Sequence, residues 1–238
     1  MTAREYTWRG RFGPMQLQIS QHTFTPSTIS TLIAEELSIE GTDVVIDVGC
    51  GSGILSIVAA KLGAEAIYGV DASPDVVEVA SGNAEAHGVG DRIRFHQGNL
   101  FAPLPYDLQA DVIIGDVSGI PDTLAAFSGW FPSGTGGGAS GSELPVAMLE
   151  AARARLEPDG RLYLPTGTLQ DEQAILDTAR RLFGSVEHLT ERVIPLPGQL
   201  ADSDVVRDLV ASGVVTLGRK GSRSTWTARV WLLTSPKQ

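Results

Sequence analysis

Cysteine is almost missing from this chain: of its 238 residues only Cys50 carries a thiol. No internal disulfide can form and no cysteine cluster exists for structural zinc, so no metal is expected and a reducing, cytoplasmic setting is. Long apolar runs are missing as well. Nothing approaches the roughly 18 apolar residues of a membrane-crossing helix, and the opening MTAREYTWRG has no basic stretch leading into an apolar core. A soluble protein with no membrane partner and no signal peptide is therefore expected. Basic residues are in deficit, 18 against 28 acidic, for a net charge of -10, which argues against a nucleic-acid backbone as partner. The exception is residues 204–238, where Arg207, Arg219, Lys220, Arg223, Arg229 and Lys237 meet only Asp204 and Asp208. A solvated hairpin tip, with basic side chains protecting an edge strand, accounts for that imbalance.

What is present is an alternation of short apolar strands and helices. The hydrophobic share, 42%, suffices for one sizeable α/β domain. Residues 1–40 read as an N-terminal extension with a capping helix, started by Thr25 and Pro26 and carrying Ile29, Leu32, Ile33 and Leu37 at helical spacing. Residues 41–238 read as the main domain. Strands are expected at 44–48, 66–70, 93–96, 112–114 and 161–164, and helices at 54–62, from Ser73 and Pro74 to Gly88, at 144–156 and at 172–183. Such alternation implies a mostly parallel, doubly wound sheet. After Gly184 the rhythm breaks, and Val214–Leu217 with Thr225–Leu233 flank a turn-like Gly218–Ser224, which predicts a C-terminal hairpin and one antiparallel strand.

The most informative stretch is Val45-Ile46-Asp47-Val48-Gly49-Cys50-Gly51-Ser52-Gly53-Ile54-Leu55, an apolar strand, a carboxylate, a GxGxG turn and a helix. Glycines there let the backbone turn sharply and approach a ligand. A dinucleotide site would need GxGxxG or GxGxxA, and neither frame fits, since the last positions are Ile54 and Ser56. Asp71, which closes Tyr68-Gly69-Val70-Asp71, can accept the hydrogens of both ribose hydroxyls, which supports an adenosine-bearing ligand without choosing its kind.

These residues resemble the class I methyltransferase family, with its Rossmann-like fold and its methyl donor S-adenosylmethionine. The resemblance implies that Asp47, Gly49, Gly51 and Gly53 shape the turn beside the methionine part of that cofactor. It implies that Asp71 and Ala72 lie at the ribose, and that Asn99 and Leu100, in His96-Gln97-Gly98-Asn99-Leu100, lie at the adenine. The stretch from Gly41 to about Gly167 further resembles the release-factor protein-glutamine N-methyltransferase branch (HemK-like). Gly98-Asn99-Leu100-Phe101, the run Gly136-Gly137-Gly138-Ala139-Ser140-Gly141 and Leu156-Glu157-Pro158-Asp159-Gly160-Arg161 carry that likeness. The branch's Asn-Pro-Pro-Tyr signature is replaced here by Asp116-Val117-Ser118-Gly119.

Methyl transfer is an in-line displacement that needs a positioned nucleophile and no metal. Asp116, ending the fourth strand, is expected to act as general base or to cap the following turn. His22, just before the first helix, is a second candidate for proton acceptance, with an ordinary structural role as its rival. Ser118 and Trp130 are expected to face the substrate. They belong to the glycine-rich segment 118–142, which reads as a mobile wall of the active site or as a flexible insertion, and in which Trp130 and Phe131 close over an apolar substrate or pack on the body. Because the signature has lost its aromatic ring, the acceptor is expected to be a nitrogen or oxygen of a small molecule. A protein substrate is the alternative, and a non-catalytic S-adenosylmethionine-binding module is a third reading.

Overall fold

The computed structural model describes residues 4–237. A hairpin not foreseen from the sequence comes first: β1 (Arg4–Trp8) and β2 (Met15–Ile19) pair antiparallel from Arg4 with Ile19 to Trp8 with Met15. Strict alternation in β2 turns Met15, Leu17 and Ile19 inward and Gln16 and Gln18 outward. Next is α1 (Thr28–Glu36), whose cap is Ser27 and not the expected Thr25 and Pro26. The Ser27 hydroxyl accepts from the Ile29 N–H at 3.1 Å, and the Ser30 hydroxyl accepts from the Ser27 N–H at 3.3 Å, a reciprocal cap.

The βα units then run β3 (Val44–Val48), α2 (Ile54–Leu62), β4 (Ala66–Asp71), α3 (Val76–Ala86), β5 (Ile93–Gln97) and β6 (Ala110–Gly115). The cap of α3 is Asp75, so Ser73 and Pro74 lie before the helix. After these come α4 (Asp122–Ser128), α5 (Glu143–Ala152), β7 (Leu156–Gly167), α6 (Glu172–Leu182) and β8 (Phe183–Pro195). The chain closes with α7 (Gly198–Ala201), α8 (Asp204–Ala211), β9 (Gly218–Lys220) and β10 (Arg223–Pro236).

The main sheet runs β5-β4-β3-β6-β7-β10-β8, with β9 paired to β10. Its first five strands are parallel, and β10 is inserted antiparallel between β7 and β8. The Rossmann-like, mostly parallel sheet with an antiparallel C-terminal element is thus present. The expected hairpin is shorter: Val214–Leu217 is not a strand, and β9 begins at Gly218. The long edge strand β8 and the helices α7 and α8 were not foreseen.

Apolar side chains fill both faces of the sheet. On one, Ile33, Ile57, Val58 and Ala80 of α1–α3 pack over Val45, Ile67 and Val112 with Trp8 and Leu17 of the hairpin. On the other, Met148, Leu149, Ile175 and Ala179 of α5 and α6 cover Ile46, Ile113 and Leu162. A third, smaller cluster of Leu124, Leu169, Leu196, Leu200, Val206 and Val215 joins α4, α7 and α8. Strand order reverses at the neighbours β3 and β6, and the crevice beyond the carboxyl ends of strands at such a switch point is where open α/β sheets bind ligands.

Candidate active site

A cavity of about 750 Å³ opens at that switch point. Its floor is the turn after β3. Gly49 and Gly51 have φ of +83° and +48°, values that favour glycine. A Cβ on Gly49 would fall on the Asp116 carbonyl oxygen, whereas one on Gly51 would meet nothing nearer than the Phe24 carbonyl at 3.8 Å and would take up cavity space. The turn is tied to β4: the Gly49 and Cys50 N–H groups donate to the Val70 carbonyl at 2.8 and 3.1 Å.

Asp71 closes β4. Its Oδ2 accepts from the Gly51 N–H at 3.0 Å and its Oδ1 from the Ser73 N–H at 2.8 Å. A carboxylate offers about four acceptor sites, so two stay open toward the cavity it lines. Ala72, Asn99 and Leu100 line the same end. Asp47 and Gly53 do not. Asp47 is wholly buried, with Oδ2 accepting from the Ser56 hydroxyl at 2.6 Å and Oδ1 unpartnered among the described residues. Burial pushes its carboxyl up to about 7, Ser56 opposes that shift, and the charge of Asp116 adds to it. Gly53 lets the ring of Phe95 approach, since a Cβ there would stand 2.9 Å from it.

Asp116 follows β6 and faces the cavity. Its Oδ2 accepts from the Ser30 hydroxyl at 3.2 Å. Burial pushes its carboxyl up to about 6, against the Ser30 bond and with the charge of Asp71 adding to the rise. His22 lines the cavity at the Asp71 end: its carbonyl accepts from the Ser73 hydroxyl at 3.2 Å and its exposed ring meets the Gln21 side chain. Ser118 and Trp130 both line the cavity.

Segment 118–142 forms much of one wall and contains α4. Asp122 Oδ1 accepts from the Gly136 N–H at 2.7 Å, and Phe131 stacks on Phe24 with ring centroids 4.9 Å apart. Phe24, Ser30, Gln170 and Trp226 are among the wall residues not singled out from the sequence. Only Ser30 carried a usable signal, its place three residues after a helix-capping serine.

Strand order, glycine turn and terminal carboxylate decide the architecture. The fold is that of the class I, S-adenosylmethionine-dependent methyltransferases. Residues 21–120 match the family model for ribosomal protein L11 methyltransferase (PrmA). A relative named ribosomal protein L11 methyltransferase from Aeromonas hydrophila is 38% identical over 114 residues, 48% of this chain and 36% of that one. The chain spans 24% to 36% of the length of such curated relatives. Among solved structures, the class I fold recurs in a ribosomal protein L11 methylase from Lactobacillus delbrueckii subsp. bulgaricus, at TM-score 0.52 and 20% identity, covering 88% of this chain and 78% of that one. It recurs in Trm5 of Methanocaldococcus jannaschii, solved with adenosine, at TM-score 0.60 and 14% identity, covering 100% of this chain and 57% of that one. The match thus falls on the L11 methyltransferases where the motifs resembled the release-factor branch. The glycine run 136–141 that contributed to that resemblance lies outside the matched residues. No described helix is long and apolar enough to cross a membrane.

Proposed function

We propose that this chain is an S-adenosylmethionine-dependent methyltransferase acting on a nitrogen of a polypeptide. The carrying observation is that one cavity joins the Gly49–Gly51 turn and Asp71 to the half-buried carboxylate of Asp116. The residues fit the cofactor: Asp71 keeps acceptor sites for two hydroxyls, the absent Cβ of Gly51 leaves room, and Asn99 with Leu100 offers an amide edge and an apolar face. When bound, S-adenosylmethionine supplies an electrophilic methyl group on a sulfonium.

The chain's own residues do the rest. Asp71 holds the ribose, the Gly49–Gly51 backbone admits the methionine part, and α1 with segment 118–142 excludes water. Asp116 accepts the proton released by the nucleophile, and Ser30 orients its acceptor oxygen. A neutral amine attacks without first losing a proton, so a carboxylate base suffices for it, whereas an alcohol must be deprotonated to react, and a carboxylate acceptor is repelled by Asp71 and Asp116. His22, at the Asp71 end, stands where it helps retain the donor.

The kinship with L11 methyltransferases supports a protein acceptor over the small molecule expected from the sequence. A small-molecule amine is the second reading, favoured by Asp116-Val117-Ser118-Gly119, which puts no aromatic ring where a planar amide would stack. A cytoplasmic setting accompanies either. The test is incubation with methyl-labelled donor and, separately, a ribosomal protein fraction and a small-amine fraction. Label in a ribosomal protein, recovered with the demethylated cofactor, supports the proposal; label in small amines alone moves the assignment to the second reading. Donor bound with no product from either fraction leaves a binding module.

A further inference from the structure

Three ionisable side chains besides the Cys50 thiol line the cavity, namely His22, Asp71 and Asp116; among the described residues no lysine, arginine or glutamate does. Nothing there balances a substrate anion. The wall beyond Asp116 presents Ile120, Trp130, Phe131, Leu169, Ile194 and Trp226, with Ser118, Thr166 and Gln170 among its polar members. Several of these rest on the third apolar cluster, in which Leu124, Leu196, Val206 and Val215 are buried, while Trp130 and Trp226 pack against it and stay partly open. Indole surface left open on a rigid backing, inside a cleft, is a ligand surface. The Phe24–Phe131 stack closes the span between the segment before α1 and the loop after α4.

We propose that this wall is a specificity subsite that takes a bulky, uncharged aliphatic or aromatic group adjoining the methyl-accepting nitrogen. The substrate is then an amine flanked by an apolar side chain, not an anionic or highly polar one. This rests on the reading of the cavity as a methyl-transfer site and adds a substrate class to it. The subsite is built by segment 118–142, Leu169 and residues 194–226, so selection is made by parts of the chain outside the βα units that form the donor end. Asp116 stands four residues before Ile120 in sequence, and both line the cavity, so an amine anchored by its apolar neighbour is presented to the carboxylate.

Calorimetry in the presence of S-adenosylhomocysteine tests this with free amines as probes: methylamine, isoamylamine and phenethylamine, against glycinamide, putrescine and 3-phenylpropionate. Affinity is expected to rise about fourfold per buried methylene, so phenethylamine exceeds methylamine by at least tenfold and 3-phenylpropionate does not bind. Trp130→Ala, and independently Phe131→Ala, should flatten that ranking while S-adenosylhomocysteine affinity, titrated first, stays at the wild-type value. Equal affinity across the amines, or binding of 3-phenylpropionate as strong as that of phenethylamine, overturns the subsite and leaves the donor site standing. Failure of wild-type protein to bind S-adenosylhomocysteine removes the methyl-transfer reading and the subsite with it.

Discussion

The Ser30 hydroxyl, on the first turn of α1, donates to the Asp116 carboxylate across 86 positions of sequence, and the same oxygen accepts the backbone N–H of Ser27. One side chain therefore fixes both the start of a helix and the orientation of the proposed base. A hydrogen bond to the carboxylate favours its charged form. Ser30→Ala should move the acid limb of the kcat/KM profile upward from its wild-type place near 6, by roughly half a unit to one unit. Asp116→Asn should lower kcat by about 100-fold or more above pH 7, with the deficit narrowing below pH 6 as the wild-type carboxylate takes up its proton. A limb that stays in place in Ser30→Ala, measured from pH 5 to 9, contradicts the coupling.

Gly49 and Gly51 lie two residues apart and should respond oppositely to alanine. At Gly49 the new Cβ falls on the Asp116 carbonyl at a φ of +83°, so folding itself suffers and the melting temperature drops by several degrees. At Gly51, with φ +48° but open space, the chain folds with a smaller loss and donor affinity falls by 10-fold or more. Thermal melts paired with donor titration separate the two, and equal effects on both measurements contradict the assignment.

Asp47 links the site to stability. Its carboxyl is pushed from 3.8 up to about 7, so between those values the folded chain retains a proton that the unfolded chain has released. Its contribution to stability therefore falls as pH rises from about 4 and is level above about 7. Asp47→Asn keeps an acceptor for the Ser56 hydroxyl and removes the charge. Its gain over wild type should be larger at pH 8 than at pH 5, of the order of a few kcal/mol at about 1.4 per unit. Denaturant midpoints at the two values check this, and a gain independent of pH counts against it.

Asp122 Oδ1 accepts the N–H groups of both Gly136 and Gly138, at 2.7 and 3.4 Å, pinning the loop to the first turn of α4. Asp122→Ala should speed proteolytic cleavage within residues 129–138 and raise KM for the acceptor about 10-fold, with donor affinity unchanged. Faster cleavage without any change in KM would separate the loop from substrate binding.

The parallel half of the sheet was legible because burial on both faces makes β3, β4 and β6 continuous apolar runs, and because the turn glycines and Asp71 stand in one short window. The rest was hidden for physical reasons. β8 is an edge strand with Glu187, His188, Glu191 and Arg192 exposed or half-exposed, so it has no apolar run to find. Val214–Leu217 resembles a strand because a short run of three apolar residues and a β-branched threonine fits any buried segment; only Val215 is buried, in the small cluster beside α8. In the site, Asp116 and Asp71 were visible as strand-ending carboxylates. Ser30 and Trp226 reach the cavity by tertiary packing of distant elements, which spacing does not encode.

The most direct measurement is calorimetric titration of S-adenosylmethionine into wild-type protein and Asp71→Ala. Asp71 holds the Gly51 and Ser73 N–H groups and keeps acceptor sites for the ribose, so one-to-one binding to wild type, weakened at least 30-fold in a variant that still melts cooperatively though a few degrees lower, is expected. Absence of binding to wild type, or equal binding to both proteins, contradicts the account.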